Sequence, residues 1–122
     1  MFVYQIYQAV KRMLDGTDNS EPKAKEVKII NLSIGDLERP YLQHISSLAR
    51  LLDWLSWKYK ILFIVSAGNY TEEISIKKNN EESITNKALK SLNDKLKDRK
   101  IISPAESINS ITVGAQHKDY ID

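Results

Sequence analysis

The fold is indicated most clearly by VKIINLSIG at residues 27–35 and ILFIVSAGN at residues 61–69. Each begins as a nearly continuous run of apolar, often β-branched residues, which is typical of a strand in a parallel sheet covered on both faces. Between them, apolar residues recur at helical spacing from Tyr41 to Tyr59. A strand, a helix and a second strand in this order predict a βαβ unit.

The flanking segments extend the same pattern. Helical spacing from Phe2 to Leu14 ends just before Gly16, a residue suited to the left-handed cap of a helix C-terminus. A further helix is predicted from Ser83 to Leu96, and a further strand from Ser110 to Ala115. Strands that alternate with helices predict an α/β fold with a mainly parallel sheet.

Composition and charge exclude several classes of protein. The 122 residues suit one domain or part of one, and the net charge of +2 is too small for a protein that binds nucleic acid or an acidic membrane surface. The chain has no cysteine, which excludes disulfides, thiolate zinc sites and cysteine nucleophiles. The longest apolar run, Ile61–Val65, is far shorter than the ~20 residues of a membrane span. We therefore expect neither a nucleic acid nor a membrane as partner.

The residues that follow the two strands are the first candidates for a binding site. In an open parallel sheet, ligands bind beyond the carboxyl ends of the strands, which points to 31–36 and 65–69. Small residues there let an extended peptide lie beside the chain and exchange main-chain hydrogen bonds, and Asn69 adds a side-chain N–H donor. We call these two segments the strand exits. Each one, taken singly, is explained equally well by a structural role, in which Gly35 or Gly68 only turns the chain.

Taken together, the two exits resemble segments of the subtilisin-like serine proteases, the subtilase family. IINLSIG at 29–35 is similar to the family's substrate-lining strand, and FIVSAGN at 63–69 to its oxyanion-hole segment. SPAESINSITVGA at 103–115 resembles the stretch that follows them, which implies a cis bond between Ser103 and Pro104. The resemblance implies a single partial domain over residues 1–122 with the three-layer αβα architecture of the subtilisin-like fold.

The resemblance also implies roles for individual residues. Asn69 would donate its side-chain amide to the oxyanion of a tetrahedral intermediate. The backbone of the substrate would lie along Ser33, Ile34 and Gly35. One wall of the pocket for the residue before the scissile bond would be formed by Ser66, Ala67 and Gly68.

The motifs that carry the family's catalytic aspartate, histidine and serine are missing, since the chain has no D-[ST]-G-[IV], no H-G-T and no G-T-S-x-A. We therefore interpret it as an internal segment of a subtilisin-like serine endopeptidase, inactive alone, whose longer parent cleaves peptide or protein substrates. The alternative is a non-catalytic peptide-binding or assembly domain with a subtilase-like sheet. A slice of a larger sheet exposes apolar surface, so self-association of the isolated chain is expected.

Residues 70–102 form a longer stretch than compact subtilases have at this place. They hold a helical insert at about 71–100, whose lysines and aspartates interleave as on a solvated surface. A functional hypothesis is that the insert forms a lid or partner-docking segment over the specificity pocket, because it begins directly after Asn69 in the sequence.

Several other features carry weaker expectations. The sequence indicates no cofactor, and it leaves calcium binding by the parent open. It also leaves the cellular compartment open, although the lack of a signal-peptide pattern and of cysteine favours the cytoplasm. His44 and His117 match no motif and are not assigned to a triad or a metal site. On the second helix, Trp54 is expected to pack in the core and Trp57 to be partly exposed.

Overall fold

The computed structural model describes residues 2–69, 83–95 and 99–115, and these contain the helices and strands that the sequence predicts together with two short strands that it does not. In chain order the elements are α1 (Phe2–Leu14), β1 (Ile29–Leu32), β2 (Asp36–Pro40), α2 (Ser47–Tyr59), β3 (Leu62–Ser66), α3 (Ile84–Lys95), β4 (Ile102–Ser103) and β5 (Ser110–Val113). The predicted helices at 2–14 and after Ser83 are confirmed. The predicted end of the latter at Leu96, the part of the insert at 71–82 and His117 lie outside the described residues.

The three predicted strands form one parallel sheet in the order β1-β3-β5. In this sheet Ile30 lies opposite Phe63, which in turn lies opposite Ser110. The α2 helix connects β1 to β3, so the predicted βαβ unit is confirmed. The mainly parallel α/β fold expected from the alternating pattern is therefore present.

One face of the sheet is covered by α1 and α2. Phe63 and Val65 of β3 are buried against Leu52 and Leu55, which share one stripe of α2 because a helix repeats every 3.6 residues. Val10 of α1 completes this core. Full burial of such a side chain contributes ~1.5–3 kcal/mol, so this apolar layer is the main force that holds the two helices on the sheet.

The opposite face of the sheet is largely open in the part of the chain that the structure describes. Side chains alternate between faces along a strand, so Ile29, Ile111 and Val113 lie on the side away from α2. They are 59%, 50% and 53% exposed. Parallel sheets are normally covered on both faces, whereas the described residues leave these apolar side chains exposed on one side.

The structure corrects the start of the second helix. A helix from Tyr41 was expected, but α2 begins at Ser47, and the Ser46 hydroxyl caps it by accepting a hydrogen bond from the Ala49 N–H at 3.1 Å. Residues 41–46 are not helical, and before them lies an unpredicted strand, β2, which pairs antiparallel with β4. Directly after β2, the Tyr41 N–H donates to the Ile101 carbonyl at 2.8 Å. This pairing joins distant parts of the chain, so local periodicity did not reveal it.

The C-terminal ends of α1 and α2 are joined near the surface. Gly16 follows α1 with a φ of +81°, the left-handed conformation predicted for it. A Cβ at this position would lie 2.4 Å from the Ser20 carbonyl oxygen, so glycine is required. The Tyr59 hydroxyl donates to Asp15 at 2.5 Å, and burial together with this bond raises the pKa of Tyr59.

The expectation that Trp54 packs in the core is wrong. Its side chain is 41% exposed, and its ring lies 6.1 Å from the ring of Tyr7, with Lys58 Nζ 4.9 Å from its centroid. The leucine stripe of α2 faces the sheet, which leaves Trp54 at the outer edge of the contact between the two helices. Trp57 is exposed, in the direction expected.

Candidate functional site

The two strand exits meet at the same edge of the sheet. Because β1 and β3 are parallel neighbours, their carboxyl ends lie side by side, and a depression of about 150 Å³ opens between the chains that leave them. It is lined by Ser33, Ile34, Gly35, Leu37, Ser66, Gly68, Asn69 and Ile102. The structure thus brings together all of the predicted site residues except Ala67.

Ala67 joins the strands around the depression. Its N–H donates to the Val113 carbonyl at 2.9 Å, and its own carbonyl accepts a hydrogen bond from the Ile102 N–H at 3.2 Å. Its backbone therefore connects the end of β3 to β5 on one side and to β4 on the other. Ala67 is not among the residues that line the depression.

The turn after β3 places Asn69 at the rim. Gly68 has a φ of +121°, which favours glycine, and its N–H donates to the Ser66 hydroxyl oxygen at 3.2 Å. Asn69 follows directly, is exposed, and also lines a second depression of about 360 Å³ on the open face of the sheet. The two depressions share Ser33, Ser66 and Asn69, so a ligand lying across this edge would pass the amide of Asn69.

The floor between the two exits is formed by Ile102, a residue that no sequence motif predicted. A Cβ on Gly35 would lie 2.5 Å from Ile102 Cδ1, and a Cβ on Gly68 would lie 2.7 Å from Ile102 Cγ1. The isoleucine side chain therefore fills the space beside both glycines, and their lack of a side chain is required for this packing. No motif around residue 102 pointed to this role, because the contact depends on three distant segments.

Hydrogen bonds from the start of α2 hold the segment that follows Ile102. The hydroxyl oxygens of Ser46 and Ser103 lie 2.7 Å apart, and the Ser46 N–H donates to Glu106 Oε1 at 3.0 Å. The peptide bond between Ser103 and Pro104 is cis, as the resemblance implied. The helix cap and the floor of the depression are thus one connected unit.

The loop 104–109 is held a second time by Asp53 of α2. Asp53 Oδ1 accepts hydrogen bonds from the Ser107 hydroxyl at 2.6 Å and from the Asn109 N–H at 2.8 Å. The Asn109 side-chain amide donates to the Asp53 carbonyl at 3.2 Å. The carboxylate of Asp53 therefore has an anchoring role in the loop, while His44 is exposed before the start of α2.

Metal and membrane features are absent from the part of the chain described by the structure. Over residues 2–69, 83–95 and 99–115, no group of three or more histidine or acidic side chains is arranged to hold a metal ion. In the same ranges, no helix combines the length and the apolar character that crossing a membrane requires.

The segments at 29–35, 63–69 and 103–115 thus surround one edge of a parallel sheet. A comparison with models of protein families matches residues 3–119 to the subtilase family, peptidase S8. The chain belongs to the subtilase family. A search of curated proteins and a search of solved structures found no match.

Membership of the subtilase family confirms the resemblance drawn from the sequence. The match covers nearly the whole chain, and the parallel sheet with its helices is consistent with part of a subtilisin-like αβα domain. The family is one of serine proteases, hydrolases that act in proteolysis, so the substrate class is peptide or protein.

Proposed function

We propose that this subtilase chain is an internal segment of a serine endopeptidase, and that it supplies the oxyanion donor and the substrate-lining strand. The meeting of the two strand exits at one depression is the observation that carries the proposal. An extended peptide would lie along Ser33, Ile34 and Gly35 and exchange main-chain hydrogen bonds with them. Ser66, Ala67 and Gly68 would form the facing wall beside the residue that precedes the scissile bond.

Asn69 has the chemical role in this proposal. Its side-chain N–H would donate to the carbonyl oxygen of the scissile bond as that oxygen gains negative charge. The turn before it is held by the bond from the Gly68 N–H to the Ser66 hydroxyl, which fixes the backbone from which the Asn69 side chain extends. Because the charge develops only in the transition state, this contact raises kcat more than it lowers KM.

The nucleophile and its general base come from elsewhere in the parent protein. Subtilisin orders its catalytic residues as aspartate, histidine and serine, and none of the family's three motifs occurs in this sequence. The chain alone is therefore proposed to be inactive. The uncovered sheet face with Ile29, Ile111 and Val113 supports this view, since further polypeptide would cover it in the parent.

Residues 1–122 would form one partial domain with a helical insert at about 71–100. The described part of the insert is mainly α3, which has no buried residue, in keeping with a solvated helix. The insert starts close to Asn69, so it would stand near the substrate and could act on longer substrates as a lid or docking segment.

The proposal is tested in the full-length protein that carries this segment. A serine-directed covalent probe should label it. Asn69→Ala should lower kcat by about 10²–10³-fold with KM little changed, which is the effect of removing the oxyanion donor in a subtilisin. Asn69→Asp keeps the shape but removes the donor, and should be at least as damaging. Asn19→Ala, in an exposed loop, is the matched control and should leave both constants unchanged.

The endopeptidase hypothesis and the non-catalytic hypothesis predict different results in these experiments. An active protein whose kcat is unaffected by Asn69→Ala would refute the role of Asn69. A full-length protein that the probe does not label would favour the alternative, a peptide-binding or assembly domain that keeps the subtilase-like sheet.

A further inference from the structure

We propose that Asn31 is a positioning residue of the site and that it acts through Ser33. Its side-chain oxygen holds the proton of the Ser33 hydroxyl, so the Ser33 oxygen faces the substrate as an acceptor for a main-chain N–H. The inference rests on the proposed function, because it requires a peptide bound beside Ser33. Asn31 itself lies outside the residues proposed above to contact the substrate.

Asn31 is an unusual residue for its place in the sheet. It lies opposite Ile64 of β3, which in turn lies opposite Ile111 of β5. Residues paired in this way point to the same face, so the Asn31 amide stands at the end of an apolar row on the open face. Asparagine is depleted in strands, and its amide would cost free energy on a covered face unless it had a hydrogen-bond partner. Apolar packing therefore does not explain an asparagine at this position.

The partner of Asn31 is the hydroxyl of Ser33, two residues later in the chain. Ser33 Oγ donates to Asn31 Oδ1 at 3.0 Å. A serine hydroxyl has one proton and two lone pairs, so a hydroxyl that donates to Asn31 has only its lone pairs left for a ligand. The bond thus fixes both the direction of the hydroxyl and its role as an acceptor.

Ser33 lies where a bound peptide would pass. It lines both the depression between the strand exits and the larger one on the open face, whereas Asn31 lines only the larger one. The main chain of a peptide offers N–H donors and carbonyl acceptors, and the lone pairs of Ser33 attract the first and repel the second. Asn31 would therefore favour the peptide register that brings an N–H to Ser33, and disfavour a register that brings a carbonyl there.

The first test is a double-mutant cycle in the full-length protein. Asn31→Leu keeps a similar size without the acceptor, and it should raise KM for a tetrapeptide p-nitroanilide by about three- to tenfold, the effect of one lost hydrogen bond. The value of kcat should stay within about twofold, because the contact is present in the ground state as well. In a Ser33→Ala background, Asn31→Leu should have no further effect on KM, whereas a merely structural role of Asn31 would persist there.

Two single variants complete this test. Asn31→Asp keeps an acceptor for the Ser33 hydroxyl, so KM should return to within about twofold of the wild-type value. Its kcat should fall, since Asn69 lines the same larger depression and a carboxylate there opposes the charge of the oxyanion. Ile29→Val is the matched control, because Ile29 belongs to the same strand and face but lines neither depression. It should leave KM and kcat unchanged.

Substrates that lack single N–H groups test the acceptor role directly. Each amide of the peptide before the scissile bond is replaced in turn by an ester, which removes one N–H and keeps the shape of the chain. In the wild type, one of these esters should lose about three- to tenfold in kcat/KM through the bond to Ser33. That loss should become smaller in Asn31→Leu and in Ser33→Ala.

The outcomes separate this inference from the proposed function. An unchanged KM in Asn31→Leu, or a rise of the same size in the Ser33→Ala background, overturns the role of Asn31 while probe labelling still supports the endopeptidase. Ester losses that are the same in the wild type and in Asn31→Leu overturn it as well. A wild-type protein that is neither labelled nor able to cleave peptides would refute the proposed function and this inference together.

Discussion

Asp53→Ala is expected to loosen the loop 104–109 and lower the free energy of unfolding by about 2 kcal/mol. The carboxylate accepts two hydrogen bonds, from the Ser107 hydroxyl and the Asn109 N–H. Bonds to a charged group contribute ~1.5–3 kcal/mol each, which sets an upper total of about 3–6 kcal/mol. The loss should be smaller, because Ser107 keeps Ser110 as a partner at 2.6 Å and the exposed Asn109 N–H regains water.

Two measurements check this value. Urea unfolding can be followed by the fluorescence of Trp54 and Trp57, which lie on the same helix as Asp53. It should be run at several protein concentrations, since association would add apparent stability. Hydrogen exchange at the Asn109 amide reports the loop directly and should become faster in the variant.

Matched variants show whether the carboxylate is responsible. Asp53→Asn keeps an acceptor oxygen without the charge and should lose clearly less stability than Asp53→Ala. Asp18→Ala removes an exposed carboxylate from a surface loop and should change stability by less than about 0.5 kcal/mol. The reasoning is refuted if Asp53→Ala is as stable as Asp18→Ala and the Asn109 amide exchanges at its original rate.

Two other substitutions test the packing at the floor and the open face of the sheet. Gly35→Ala should destabilise by about 1–3 kcal/mol, because its Cβ would lie 2.5 Å from Ile102 Cδ1, and the cost should largely vanish in an Ile102→Ala background, as a double-mutant cycle in urea would show. The isolated chain should self-associate in sedimentation experiments, and Ile111→Lys on the open face should shift it toward monomer. A wild-type chain that is monomeric at every concentration would contradict the second prediction.

Periodicity along the chain was sufficient to predict most of the elements. The apolar run at 61–65 is typical of a strand in a parallel sheet, and the leucine spacing of α2 reflects the 3.6-residue repeat of a helix. The glycine at position 16 was likewise recognisable, because few other residues adopt a positive φ at a helix end. The order of these elements and the three matched segments are enough to indicate the family from the sequence.

The two features that the sequence did not predict correctly, strand β2 and the exposure of Trp54, have a common physical cause. Strand β2 forms only through pairing with β4, more than 60 residues later in the chain, and Trp54 faces outward because α1 and the sheet set the rotation of α2. Neither the pairing nor the rotation is encoded in a short window of sequence, since both depend on contacts that exist only after the chain has folded.

The candidate site shows the same division between sequence and tertiary structure. The residues at the strand exits, including Asn69 and the glycines at 35 and 68, were predictable from the sequence alone. That the two exits share one depression, and that Ile102 fills the space beside both glycines, is visible only in the folded structure. The shape of a pocket floor depends on the packing of segments far apart in the chain, whereas the residue types at a strand end are local.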